Sequence, residues 1–144
     1  DRLGVEACIN RKAEDVAARM DELFPKGIDV FFDLVGGELL VQASERLALN
    51  ARVVLCGLIS EYNSATRAAG PPPGYWIRSR ATVYGLVVYD FEARRDEFIQ
   101  ACLPDLQAGR LLQPEDLNQG IESAPSAFCR LMRGENFGKV VVEM

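Results

Sequence analysis

Apolar residues along this chain switch between two spacings, and the switches mark out its elements. Val5 to Asn10 is a short strand candidate. Ala13 to Phe24 follows, with Val16, Met20, Leu23 and Phe24 at helical spacing, and Pro25-Lys26-Gly27 stops it. The run Ile28-Asp29-Val30-Phe31-Phe32-Asp33 is apolar on both faces except at Asp29 and its end. Strands covered on both faces in parallel sheets look like this. Glu38 to Leu49 predicts a helix with Leu39, Leu40, Ala43 and Leu47 on one side, and Arg52-Val53-Val54-Leu55-Cys56-Gly57 a second buried strand.

The polar connection from Ser60 to Trp76 holds Gly70-Pro71-Pro72-Pro73-Gly74, too many breakers for regular structure. Ala81 to Tyr89 predicts a strand. Arg94 to Ala108 predicts a helix with Phe98, Ile99, Cys102, Leu103 and Leu106 inward and Gly109 as its stop; Pro104 within it implies a kink or an early end. Leu112 to Gly120 is a mixed polar stretch. Pro125 fits the first turn of a helix running to Arg133, with Phe128, Leu131 and Met132 as its apolar side. Phe137 to Met144 closes with the β-rich run Lys139-Val140-Val141-Val142.

Strands and helices that alternate with short turns imply an α/β fold, a parallel sheet built by right-handed crossovers and flanked by helices. Successive strand starts about 24 residues apart fit βαβ units. The opening Asp1-Arg2-Leu3-Gly4 has the look of a helix end, which suggests a boundary inside a larger fold, with processing as the alternative; it has no signal-peptide character.

Composition narrows the chemistry. The formal charge is -5 and the basic residues are scattered, so the basic face that nucleic acid requires is missing. No stretch approaches the roughly 20 apolar residues of a membrane helix. The chain has no His, and Cys8, Cys56, Cys102 and Cys129 are widely spaced without a C-x-x-C pair, which argues against a zinc site. The expectation is no metal, and four reduced, mostly buried thiols in a cytoplasmic protein. Without His, every Ser-His or Cys-His nucleophile falls away.

In open parallel sheets, ligands bind at the carboxyl ends of the strands. Three such ends are marked: Asp33-Leu34-Val35-Gly36-Gly37, then Cys56-Gly57-Leu58-Ile59-Ser60-Glu61-Tyr62-Asn63, then Val87-Val88-Tyr89. Paired glycines let a backbone approach a ligand closely, and a bare strand-to-helix turn uses them equally. The long loop after the second of these ends belongs to a class that is usually functional or disordered. Val87-Val88-Tyr89 also fits an edge strand burying β-branched residues. Neither G-x-G-x-x-G nor G-x-x-x-x-G-K-[ST] occurs in these 144 residues.

The succession Gly27 to Gly37, Cys56 to Asn63 and Gly134-Glu135-Asn136-Phe137-Gly138-Lys139 resembles the medium-chain dehydrogenase/reductase superfamily, and within it the zinc-free, NADPH-dependent prostaglandin, leukotriene and alkenal reductases. The resemblance implies a Rossmann cofactor domain and a GroES-like substrate domain. Residues 1–111 then match the later strands of the Rossmann part, with its first βαβ and pyrophosphate turn not among them, and residues 112–144 match the tail returning to the substrate domain.

The activity implied is NADP(H)-dependent reduction of an enone C=C bond, or of a quinone, by hydride transfer. The competing reading is a non-catalytic Rossmann-like module acting through dimerisation, since in the family the strand matching Ala81–Tyr89 pairs with its twin in a homodimer. Tyr62 matches the residue that holds the substrate carbonyl or donates a proton; a partly buried structural Tyr is its alternative. Cys56, Gly57, Ile59 and Ser60 match the loop bordering nicotinamide and ribose, beside Val35 and Gly36. Val87 and Val88 match the strand end near the carboxamide. Asn136 matches a cofactor contact, or serves as a turn residue before Gly138. Two positions depart from the pattern. Leu34 stands where the family has a hydrogen-bonding Asn. In the segment Ile9-Asn10-Arg11-Lys12, Arg11 replaces a Tyr at the cofactor site and can still stack or pair with phosphate.

Overall fold

The computed structural model describes residues 4–144 and contains two compact units, one ending at Ala93 and the other spanning Arg94–Met144. The helix end expected at residues 1–3 lies outside the described residues.

The first unit is built on a parallel sheet in the order β1-β2-β3, formed by Ile28–Asp33, Leu47–Leu55 and Thr82–Gly85. Helix α1 (Val16–Leu23) precedes β1, α2 (Gly37–Glu45) joins β1 to β2, and α3 (Pro73–Ser79) leads into β3. The core is Met20, Ile28, Leu40, Ala43, Leu47, Ala51 and Val53, with Ile9, Trp76 and Ala81 packed against it. Removing these side chains from water is the main stabilising term of the unit. Arg46 ties α1 to the end of α2, its guanidinium donating to both carboxylate oxygens of Asp21 at 2.7 and 3.0 Å.

Several boundaries differ from the sequence reading. Val5 to Asn10 is not a strand: no described strand pairs with it, and Asn10 instead closes a turn in which Ala13 and Glu14 donate to its carbonyl. That turn delays α1 until Val16, where the Asp15 carboxylate accepts from the Ala18 N–H. Helix α2 ends at Glu45, and Leu47 already pairs with Ile28. The next pairing is Val30 with Arg52, so β2 carries a bulge in which Asn50 takes φ +62°. Gly27 allows this approach, since a Cβ there would lie 2.8 Å from the Ala48 nitrogen.

The proline-rich segment is not all loop. Pro73 starts α3, where its missing N–H costs nothing, and Trp76 donates from Nε1 to the buried Ser44 Oγ at 3.2 Å. β3 stops at Gly85, short of Tyr89, because β2 ends at Leu55 and turns back toward β1; Val88 to Arg94 form a 3-10 helix. β1 is not covered on both faces: Val30 is 53% and Phe32 54% exposed.

The second unit contains α4 (Arg95–Gln107), β4 (Glu115–Gln119), α5 (Ala124–Arg133) and β5 (Lys139–Glu143). β4 and β5 pair in parallel with α5 as the crossover. β4 was not evident from its polar sequence; its ladder to β5 and the Arg130 guanidinium, which donates to Asp116 and Asn118, hold it. Helix α4 runs through Pro104 to Gln107 without stopping early, and Phe98, Ile99, Leu103 and Leu106 are exposed rather than inward. In α5 it is Ala127 that is buried, while Phe128 and Leu131 are exposed. The four cysteines are unpaired but not deeply buried: Cys8 and Cys129 are exposed, and Cys56 and Cys102 half-buried. Among the described residues, no helix is long and apolar enough to cross a membrane.

Candidate functional site at the carboxyl ends of the sheet

At the carboxyl end of β1 the chain turns sharply into α2. Asp33, 1% exposed, caps this turn: its Oδ1 accepts the Val35 N–H at 2.8 Å, and both carboxylate oxygens accept the Gly36 N–H at 3.1 Å. These charge-assisted bonds offset the burial of the carboxylate. Gly36 adopts φ 71° and ψ −154°, a conformation open essentially to glycine alone. A Cβ there would also meet the Leu58 side chain at 2.6 Å.

The β2 exit folds back onto this turn. The Asp33 carbonyl accepts from Cys56 and Gly57 at 2.8 and 3.2 Å, the Leu34 carbonyl from Ile59 at 3.1 Å, and the Val35 carbonyl from Ser60 at 3.1 Å. The Ser60 hydroxyl donates to the same Val35 carbonyl at 2.6 Å. A 3-10 turn, Ile59–Glu61, then delivers Tyr62, whose ring is 67% exposed. A Cβ on Gly57 would lie 3.3 Å from the Leu34 carbonyl oxygen and 3.6 Å from the Tyr62 hydroxyl. The phenol therefore stands beside a backbone stretch with no side chain of its own. Leu34, Leu58 and Ile59 add exposed apolar surface to this rim.

The structure thus brings Val35, Gly36, Cys56, Gly57, Ile59, Ser60 and Tyr62 together. Val87 and Val88 follow the end of β3 as exposed residues beyond the strand, not within it. Asn10 and Arg11 lie in the turn before α1, where Asn10 Oδ1 accepts the Lys12 N–H at 3.1 Å and the Asn10 N–H donates to Glu14. Asn136 lies in the second unit and donates from Nδ2 to the Gly138 carbonyl at 2.9 Å, the role of a turn residue. Asp33 and Leu58 were not singled out as site residues in the sequence. An Asp three residues before paired glycines was the available signal for the first.

Residues 3–142 match the family model described as zinc-binding dehydrogenase. The chain has no His, and among the described residues no three His, Cys, Asp or Glu side chains gather. The 2-alkenal reductase (NADP(+)-dependent) of Nicotiana tabacum is 33% identical over 98% of this chain and 41% of its own length. Prostaglandin reductase 1 of Bos taurus is 32% identical over 97% of this chain and 44% of its own length. The crystal structure of CurA in complex with NADPH from Vibrio vulnificus superposes with a TM-score of 0.88 and 36% identity, covering 100% of this chain and 44% of that one. The chain spans less than half the length of each of these relatives. It belongs to the zinc-binding dehydrogenase family of α/β folds, on the zinc-free, medium-chain reductase side of it.

Proposed function

We propose that the protein carrying this chain is an NADPH-dependent oxidoreductase that reduces the C=C bond of α,β-unsaturated ketones or aldehydes, or a quinone. The observation that carries this reading is the Tyr62 hydroxyl poised beside Gly57 at the carboxyl ends of parallel strands. The rim suits a nicotinamide: Gly57 leaves the backbone without a side chain beside the Tyr62 hydroxyl, where a flat ring needs close approach, and Leu34, Leu58 and Ile59 offer apolar contact. The relatives described as NADP(+)-dependent or bound to NADPH support the same cofactor. When bound, the cofactor supplies a hydride to the β-carbon of the acceptor.

Tyr62 does the work that belongs to this chain. Its O–H donates to the acceptor carbonyl oxygen, where negative charge grows as the enolate forms, and this stabilises the transition state more than the ground state. A proton taken up from solvent water at the α-carbon, leaving hydroxide to the bulk buffer, completes the reduction. Val35, Gly36, Cys56, Gly57, Ile59 and Ser60 border the nicotinamide end, and Val87 and Val88 the carboxamide. Asn10 and Arg11 are assigned to the cofactor's remaining contacts. Residues 1–111 are assigned to the cofactor domain and 112–144 to the tail of the substrate domain. The four unpaired thiols support a reducing, cytoplasmic setting.

Replacing Tyr62 with Phe tests the assignment. Turnover of an enone should fall on the order of a hundredfold, with NADPH affinity little changed. Unchanged turnover would reduce Tyr62 to a structural role.

A homodimer through β3 is part of the same reading, supported by the exposure of all four residues of that edge strand. Light scattering of the wild type and of Val83→Pro, which removes an N–H from the open side of this strand, would show the dimer lost in the variant; a monomeric wild type would rule the dimer out.

A further inference from the structure

We infer that Ser60 is a positioning residue for Tyr62: its hydroxyl latches the β2 exit loop to the β1 turn and is not a donor to the cofactor. The inference rests on the proposed role of Tyr62, but its geometric half does not.

Four backbone bonds already join the two loops, running from Cys56, Gly57, Ile59 and Ser60 to the carbonyls of Asp33, Leu34 and Val35. All of them are anchored on the turn that the buried Asp33 carboxylate makes rigid. The Ser60 hydroxyl adds a side-chain bond between these loops, placing a second donor on the Val35 carbonyl already occupied by its own N–H. A hydroxyl has a single proton, so Ser60 retains only lone pairs for any ligand. Gly37 makes room for this bond: at φ +59° it has no side chain, and a Cβ there would sit 2.9 Å from Ser60 Oγ.

From Ser60 the chain has no slack before Tyr62. Glu61 donates to the Leu58 carbonyl, Tyr62 to that of Ile59, and Ser64 to that of Glu61, so one tight turn connects latch and phenol. Losing the hydroxyl leaves the turn held to β1 by the Ile59 and Ser60 N–H bonds alone, which loosens it and lets the Tyr62 oxygen move away from Gly57. In a reaction governed by alignment, displacement of about 1 Å costs up to about a hundredfold in rate. Ground-state binding of the cofactor changes far less.

The test uses the whole reductase and three forms: wild type, Ser60→Ala and Ser60→Thr, the last keeping the hydroxyl. Amide hydrogen exchange and steady-state kinetics with NADPH and a simple enone are measured for each. The latch predicts faster exchange across residues 58–62 in Ser60→Ala, with β1 and β2 unchanged. It also predicts kcat down about tenfold or more with KM for NADPH within about twofold, and recovery of both readouts in Ser60→Thr. Exchange and kcat unchanged in Ser60→Ala would overturn the proposal. So would a raised KM for NADPH at constant kcat, which would make Ser60 a direct cofactor contact. If the wild type does not reduce enones yet Ser60→Ala still loosens residues 58–62, the assigned reaction fails while the latch stands.

Discussion

Gly57 and Gly36 carry the most information per residue in this site, and they act in different ways. A methyl group on Gly57 would crowd the Leu34 carbonyl and fill the space under the Tyr62 hydroxyl. Gly57→Ala should therefore leave thermal stability within about 1 kcal/mol of wild type while lowering NADPH-dependent turnover; unaltered turnover would mean that no ligand approaches there. Gly36→Ala acts on the fold instead, because its φ and ψ exclude a side chain. We expect a loss of about 1–3 kcal/mol in chemical denaturation. Sequence alone pointed to both glycines, since paired or strand-end glycines mark close approach. It did not reveal that Ser60 donates its proton to Val35, because that depends on which carbonyl the folded loop turns toward; for Asn136 it offered both a cofactor contact and a turn before Gly138, and the bond to the Gly138 carbonyl is that of the turn.

At the scale of elements, β1, β2 and α5 were legible from β-rich runs and from Pro125 at a helix start, whereas β4 and α3 were not. β4 is Glu-Asp-Leu-Asn-Gln, with little to bury, and exists because β5 supplies its ladder while Arg130 of α5 pairs with Asp116. The opposite error occurred at Val5–Asn10 and at Val87–Tyr89, where β-rich residues lack a partner strand. Propensity for a strand is permission, and pairing decides.

The Asp116–Arg130 pair gives this unit a pH signature. The guanidinium hydrogen bond and charge hold the Asp116 carboxyl below its ordinary value of 3.8. A depressed folded-state value contributes stability above the unfolded value, and that contribution is lost as pH falls through the acid range below it. Urea midpoints for wild type and Asp116→Asn should thus differ above about pH 5 and converge as the solution is acidified toward pH 2. A gap constant across that range would mean that the ion pair contributes nothing to stability.

Over the whole molecule, the α/β class was legible from alternation, and the family from ordered motifs, but the degree of coverage was not. Val30 and Phe32 of β1 are half exposed although their sequence reads as buried. Periodicity records the type of side chain at each position and not the neighbours that pack on it. Weak NADPH binding is expected of this chain alone, because it contains no glycine-rich pyrophosphate turn at a helix start. Isothermal titration giving tight binding would refute that expectation. The central claim, that this rim serves hydride delivery to an activated double bond, is tested most directly by isotope transfer. The whole reductase is incubated with NADPH deuterated at the nicotinamide C4 position and a simple enone, and the product is read by NMR. The account predicts deuterium at the β-carbon of a saturated ketone, whereas an enone recovered unreduced, or a product deuterated elsewhere, would contradict it.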